Sequence, residues 1–78
     1  MDTPDIVSAP AHYADYKIEP KEFIMENDME FWRGNIIKYA SRAGKKDYRG
    51  MTPEESEVLD LQKAYQYCMF RIRQIQEA

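Results

Sequence analysis

Residues 52–76 read TPEESEVLDLQKAYQYCMFRIRQIQ, and the fold turns on how this stretch is interpreted. Its start carries four helix N-terminal signals. Thr52 is a capping residue and Pro53 suits the first helical position. Glu55, three residues after the threonine, can close a capping box, and Glu54 and Glu55 both favour the positive helix end. No breaker follows before Gln76, which predicts a helix over 53–76. Along it Val58, Leu61, Tyr65, Cys68, Met69, Ile72 and Ile75 recur at three- and four-residue steps, the pattern of a helix–helix packing seam. Beside this seam run Asp60, Lys63, Ala64, Tyr67 and Arg71, a second line expected to lie against a neighbouring helix.

Upstream, KKDYRGM at 45–51 is a charged loop, and GNIIKYASRAGKK at 34–46 reads as the end of another helix. That helix is predicted over about 29–43, capped by Asp28 and stopped by Gly44 in a left-handed conformation. Phe31, Trp32, Ile36, Tyr39, Ala40 and Ala43 form its apolar stripe. Asn35, Lys38, Arg42 and Lys45, at offsets of three, seven and ten, keep a polar line on one face. Gly34 near its start suggests close approach of another backbone or a ligand. Pro20 opens a short first helix over about 20–27, with Phe23 and Ile24 facing inward. Residues 1–19 contain Pro4 and Pro10 and no helical period, so they read as an extended arm whose His12, Tyr13 and Tyr16 can dock on the body or on a neighbour. The expectation is an all-α protein, an arm over 1–19 and a helical domain over 20–78, oligomerising through helix faces.

Size and composition support self-association. A chain of 78 residues is one domain, and folding buries only about 60% of its unfolded surface. Such chains usually need a disulfide, a metal, a partner or self-association. Cys68 is the one cysteine and His12 the one histidine, which excludes an internal disulfide, argues against a zinc site with the usual four Cys/His ligands and fits a reducing compartment. No apolar run approaches the roughly 18 residues of a membrane span. The start, MDTPDIVSAP, lacks the basic and apolar segments of a signal peptide, so a soluble cytoplasmic protein is expected.

Charge is unevenly distributed. The net charge is -3, yet 33–49 holds six Lys/Arg and one acid, a local balance of +5 against -8 elsewhere. Duplex-DNA binders are normally basic overall, so duplex DNA is disfavoured as a partner. A local basic patch on an acidic body suits a phosphate group or a nucleotide.

The order HY at 12–13, EPKEFI at 19–24, GNxxKYxxRxGKK at 34–46 and DLxKAxxY at 60–67 resembles a family of small phage proteins of formerly unknown function that includes the small nucleotide kinase of T-odd coliphages. The likeness covers residues 12 to about 70. It implies phosphate transfer from a nucleoside triphosphate to a deoxynucleoside monophosphate, by an oligomer without the usual kinase fold, in the cytoplasm of an infected bacterial host. A P-loop is excluded, because RAGKKD lacks both the first glycine and the Ser/Thr of GxxxxGK[ST].

In the enzyme reading Lys38, Arg42 and Asp60 are the catalytic set, and Asn35, Lys45, Lys46 and Lys63 join Lys38 and Arg42 around the nucleotide. Each charge-assisted hydrogen bond gives roughly 1.5–3 kcal/mol, while association costs at least about 4 kcal/mol. Phosphate contacts alone therefore hold weakly, and stacking of the base must add roughly 1–3 kcal/mol. Tyr13, Tyr16, Trp32, Tyr39 and Tyr67 are the candidates; Tyr13 is preferred, and Trp32 and Tyr39 also read as core. His12 suits phosphate donation or proton transfer, or a docking contact only. Glu57 and Asp60, three apart, can share Mg2+ if there is catalysis; Asp60 can equally pair with Lys38 or Arg42, and Lys63 can be a surface lysine. The alternative function is a binding protein that sequesters a host signalling nucleotide unchanged. A nucleotide pyrophosphohydrolase ranks last, because paired ExxE and ExxD clusters are missing. In either leading case Lys38→Ala or Arg42→Ala is expected to abolish binding and leave the fold intact. Two nucleotides exceed what three short helices enclose, so sites between subunits are expected.

Overall fold

A computed structural model describes residues 15–78. Three helices follow in order: α1 over Pro20–Glu26, α2 over Phe31–Arg42 and α3 over Pro53–Gln76. There is no strand among the described residues. Most of the proposed arm, with His12 and Tyr13, lies outside them.

Each boundary has a local cause. Pro20 occupies the first turn of α1, where its missing N–H is no loss. The helix closes at Asn27, whose Nδ2 donates to the Phe23 carbonyl at 2.8 Å. Asp28 then adopts φ +50°, and the next amide, Met29 N–H, donates to the Ile24 carbonyl at 3.1 Å. This turn corrects the expected start of the second helix. Asp28 is spent on leaving α1, and the N-cap of α2 is Glu30 in extended backbone. The Glu30 carboxylate accepts from Arg33 Nε at 2.8 Å, and that bond holds its pKa below the ordinary carboxylate value. At the far end Gly44 takes φ +83°, the left-handed stop expected of it. α3 has the expected limits and a complete capping box: Thr52 Oγ1 accepts from Glu55 N–H at 3.0 Å, and Glu55 Oε1 accepts from Thr52 N–H at 2.8 Å.

α3 packs against α2, and α1 folds back onto α2. Arg42, at the end of α2, meets Asp60 near the start of α3, while Phe31, at the start of α2, meets Tyr67; the two helices are antiparallel. Between α1 and α2, a Cβ on Gly34 would stand 2.8 Å from Ile24 Cγ2. Gly34 therefore serves helix packing against a side chain, and it also borders the hollow between α1 and α2.

The core is unusual. Ala64 is the one buried hydrophobic side chain other than Pro20 among the described residues; the other buried side chains are Arg42, Ser56 and Asp60. Ser56, Asp60 and Ala64 stand four apart, so the α3 face against α2 is small and polar; Asp60 and Ala64 belong to the second line expected there, and Ser56 extends it. The apolar seam points away from the chain: Val58, Leu61, Tyr65, Ile72 and Ile75 are 43–63% exposed. A fold that buries so little apolar surface within itself gains correspondingly little hydrophobic stabilisation.

Candidate anion site at the α2/α3 surface

The polar line of α2 does not stay together. Arg42 turns inward, 8% exposed, and meets Asp60, which is 0% exposed. Its Nη2 donates to Asp60 Oδ1 at 3.1 Å, and its Nε lies 3.3 and 3.4 Å from the two carboxylate oxygens. Tyr48, from the charged loop, completes the cluster. Its hydroxyl donates to Asp60 Oδ1 at 2.6 Å and accepts from Arg42 Nη2 at 2.6 Å and from Lys63 Nζ at 3.3 Å. The Tyr48 amide donates to Ser56 Oγ at 2.8 Å, which fastens the loop to α3. No buried side-chain nitrogen or oxygen among the described residues lacks a partner. A satisfied network of this kind holds a single geometry.

This arrangement decides between the two roles open for Asp60. It is the ion-pair partner of Arg42, and both oxygens are occupied. Glu57 is turned elsewhere: a Cβ on Gly44 would touch its carboxyl carbon at 3.4 Å. Magnesium does not fit Asp60 and Glu57 as a pair, and among the described residues no group of three or more His, Cys, Asp or Glu could hold a metal ion. Arg42, enclosed by the same network, acts on the fold before it acts on any phosphate.

Above the buried pair the surface is cationic and aromatic. Lys38 Nζ and Lys63 Nζ each lie 5.2 Å from the Tyr39 ring centroid, and the Arg42 guanidinium 4.8 Å. Lys46 and Lys63 stand 4.8 and 4.9 Å over Tyr48. Lys38, Arg42, Lys46 and Lys63 are thus gathered around two rings, with the Asp60 carboxylate bonded to Arg42 and Tyr48 among them. Tyr39 stacks on Tyr67 at 6.1 Å and 10°, and Tyr67 meets Phe31 edge-on at 5.8 Å. Phe31, Tyr39, Lys63, Gln66, Tyr67 and Phe70 line an open cleft of about 410 Å³. Of the residues expected around a nucleotide, the structure brings Tyr39, Lys63 and Tyr67 into this cleft, with Lys38 and Lys46 close by.

The remaining candidates lie apart. Asn35 donates to the Phe31 carbonyl at 2.8 Å and, with Lys38, borders a different, largely apolar hollow of about 420 Å³ between α1 and α2. Lys45 pairs with Asp15 at 3.2 Å and lies 5.1 Å over Tyr16, whose hydroxyl donates to the Ser41 carbonyl at 2.7 Å. Tyr16 therefore docks on its own chain. The guanidinium groups of Arg33 and Arg71 lie 4.6 and 5.3 Å from the Trp32 ring centroid. Tyr48, Ser56, Gln66 and Phe70 were not anticipated. The one sequence signal for the buried pair is Asp60 itself, a poor helix former in the middle of a helix.

A family described as a protein of unknown function, DUF3310, matches residues 7–69. The chain belongs to the DUF3310 family. No curated protein and no solved structure matches it. The matched span of this DUF3310 chain contains α1, α2, the Tyr48 loop and the part of α3 that carries Ser56, Asp60, Lys63 and Tyr67. The buried network and the cationic surface above it both fall inside the family region.

Proposed function

We propose that this chain binds a nucleotide at the α2/α3 surface, with the base against the aromatic cleft and the phosphates towards Lys38 and Lys63. The observation that carries the reading is the gathering of Lys38, Arg42, Lys46 and Lys63 around the rings of Tyr39 and Tyr48, directly beside a cleft walled by four aromatic rings. Arg42 is committed to Asp60, so the lysines supply the charge, and stacking supplies the affinity that two ammonium groups lack. The cleft is open and shallow for a whole nucleotide, which favours sites completed between subunits. The chemistry that fits the family resemblance is phosphate transfer from a nucleoside triphosphate to a deoxynucleoside monophosphate in the cytoplasm of an infected bacterial host. Such transfer relies mainly on alignment and positive charge. Magnesium, in this reading, arrives with the triphosphate.

A second reading is sequestration of a host signalling nucleotide without chemistry. It is favoured by the engagement of Asp60, which leaves the carboxylate pair unable to organise a metal. Phosphorus NMR with ATP, magnesium and each deoxynucleoside monophosphate separates the two. ADP together with a deoxynucleoside diphosphate establishes the kinase; shifted but unchanged signals establish a binder. Lys63→Ala and Lys38→Ala are expected to weaken binding at least tenfold while circular dichroism keeps its helical signal. Normal binding by both variants would sink the assignment of this surface. Arg42→Ala is no longer diagnostic, since it strands Asp60 in the interior.

A further inference from the structure

α3 is 24 residues long and α2 only 12, about 36 Å against about 18 Å. The longer helix thus offers a face that is exposed at Val58, Leu61, Tyr65, Ile72 and Ile75 and half-buried at Cys68 among the described residues. Val58, Leu61, Tyr65, Cys68, Ile72 and Ile75 follow one another at steps of 3, 4, 3, 4 and 3, an unbroken a/d heptad seam. A large apolar surface of this regularity marks an association site, and the heptad spacing names the shape of the occupant: another helix with the same repeat. The seam itself is such a helix, so the surface is self-complementary.

Charge gives the direction. The first turns of α3 carry Glu54, Glu55 and Glu57, and its last turns carry Arg71 and Arg73. A parallel pair would set acids beside acids and arginines beside arginines. An antiparallel pair sets the acidic end of each helix alongside the basic end of the other and opposes the helix dipoles favourably. It also closes by a two-fold axis, the commonest symmetry of soluble dimers.

We propose that the α3 seam pairs antiparallel with the seam of a second copy, with Val58 opposite Ile75, Leu61 opposite Ile72 and Tyr65 opposite Cys68. This register is the one that covers all six positions. It does not depend on nucleotide binding, although it bears on it: Gln66 and Phe70, from the aromatic cleft, also border the shallow hollow of Tyr65, Met69 and Arg73, so each cleft opens beside the middle of the seam.

The test uses the full chain with Cys68→Ser as background. Val58→Cys and Ile75→Cys variants, one isotopically labelled, are mixed, oxidised mildly and read by intact mass. Both positions are about half exposed or more, so the helical fold tolerates the changes, and circular dichroism checks this. The expected product is the mixed disulfide. Self-disulfides of Val58→Cys are not expected, because in this register the two copies of residue 58 lie about 25 Å apart along the axis, far beyond disulfide reach. A second measurement uses light scattering: Leu61→Glu alone is expected to be monomeric, and mixing it with Ile72→Lys is expected to restore the dimer mass. Disulfides between identical positions, or no mixed disulfide at all, would overturn the proposal, as would a monomeric mass for the unaltered protein.

Discussion

Removing the Asp60 carboxylate strands a guanidinium that the fold has already taken out of water. Breaking a buried pair by deleting one partner costs about 3–5 kcal/mol, because the remaining charge has lost its compensation. Asp60→Asn keeps the shape and removes only the charge, so urea unfolding of this variant is expected to show a loss of that order. Glu57→Gln, at an exposed position, is expected to change stability by less than about 0.5 kcal/mol. A shared magnesium site would instead make the two carboxylates matter together, and would leave Asp60→Asn as stable as the parent without metal. The sequence shows that Asp60 and Arg42 each stand on a line of regular helical spacing. It offers a pairing of Asp60 with Lys38 or Arg42 beside a metal role and does not choose between them, because the 3–4 periodicity assigns residues to a face and is silent on which partner that face meets. Tyr48 was harder still: it sits in a loop, where no period applies, and only the fold brings its hydroxyl to both partners.

At the scale of elements, the joint between α1 and α2 rests on Ile24 lying over Gly34. Alanine at 34 gains about 1 kcal/mol of helix propensity but must displace a branched side chain at 2.8 Å, and overpacking of this kind costs about 1–3 kcal/mol. Gly34→Ala alone is therefore expected to destabilise. In an Ile24→Ala background the clash is gone, and the same substitution is expected to stabilise. A double-mutant cycle by thermal unfolding reads this reversal of sign, and equal effects in both backgrounds would show that the contact does not govern the joint. The helices themselves were largely legible. Thr52, Pro53 and Glu55 mark the start of α3 through bonds between near neighbours, and such local chemistry is what a sequence displays. The start of α2 moved by two residues, because Asp28 had two local uses, cap or turn, and the tertiary return of α1 selected the turn. The seam of α3 was legible as an apolar face. The line beside it, with Asp60 and Ala64, was legible as a face towards a neighbouring helix; Ser56 was not, because a small polar residue in a first helical turn carries no packing signal.

At the scale of the molecule, a chain whose hydrophobic face lies outside should owe its stability to concentration. If folding is coupled to pairing of two copies, each tenfold rise in protein concentration adds about 1.4 kcal/mol per dimer. Two chains of 78 residues, at an unfolding entropy of about 2.1 cal/mol/K per residue, convert this to roughly 4 °C in Tm per tenfold. Calorimetry over a hundredfold range is thus expected to raise Tm by about 8 °C. A ligand adds a separate increment that grows with its own concentration at fixed protein, so the two dependences can be read independently on one sample series. A Tm that ignores protein concentration yet rises with nucleotide would place stability in the buried Arg42–Asp60–Tyr48 network and separate the site from assembly. A Tm that follows protein concentration and also rises with nucleotide, with steeper nucleotide dependence in the dimeric range, would show that the second copy completes the cleft. Leu61→Glu distinguishes these cases further: position 61 does not line the cleft, so a loss of nucleotide binding in that variant points to the missing partner.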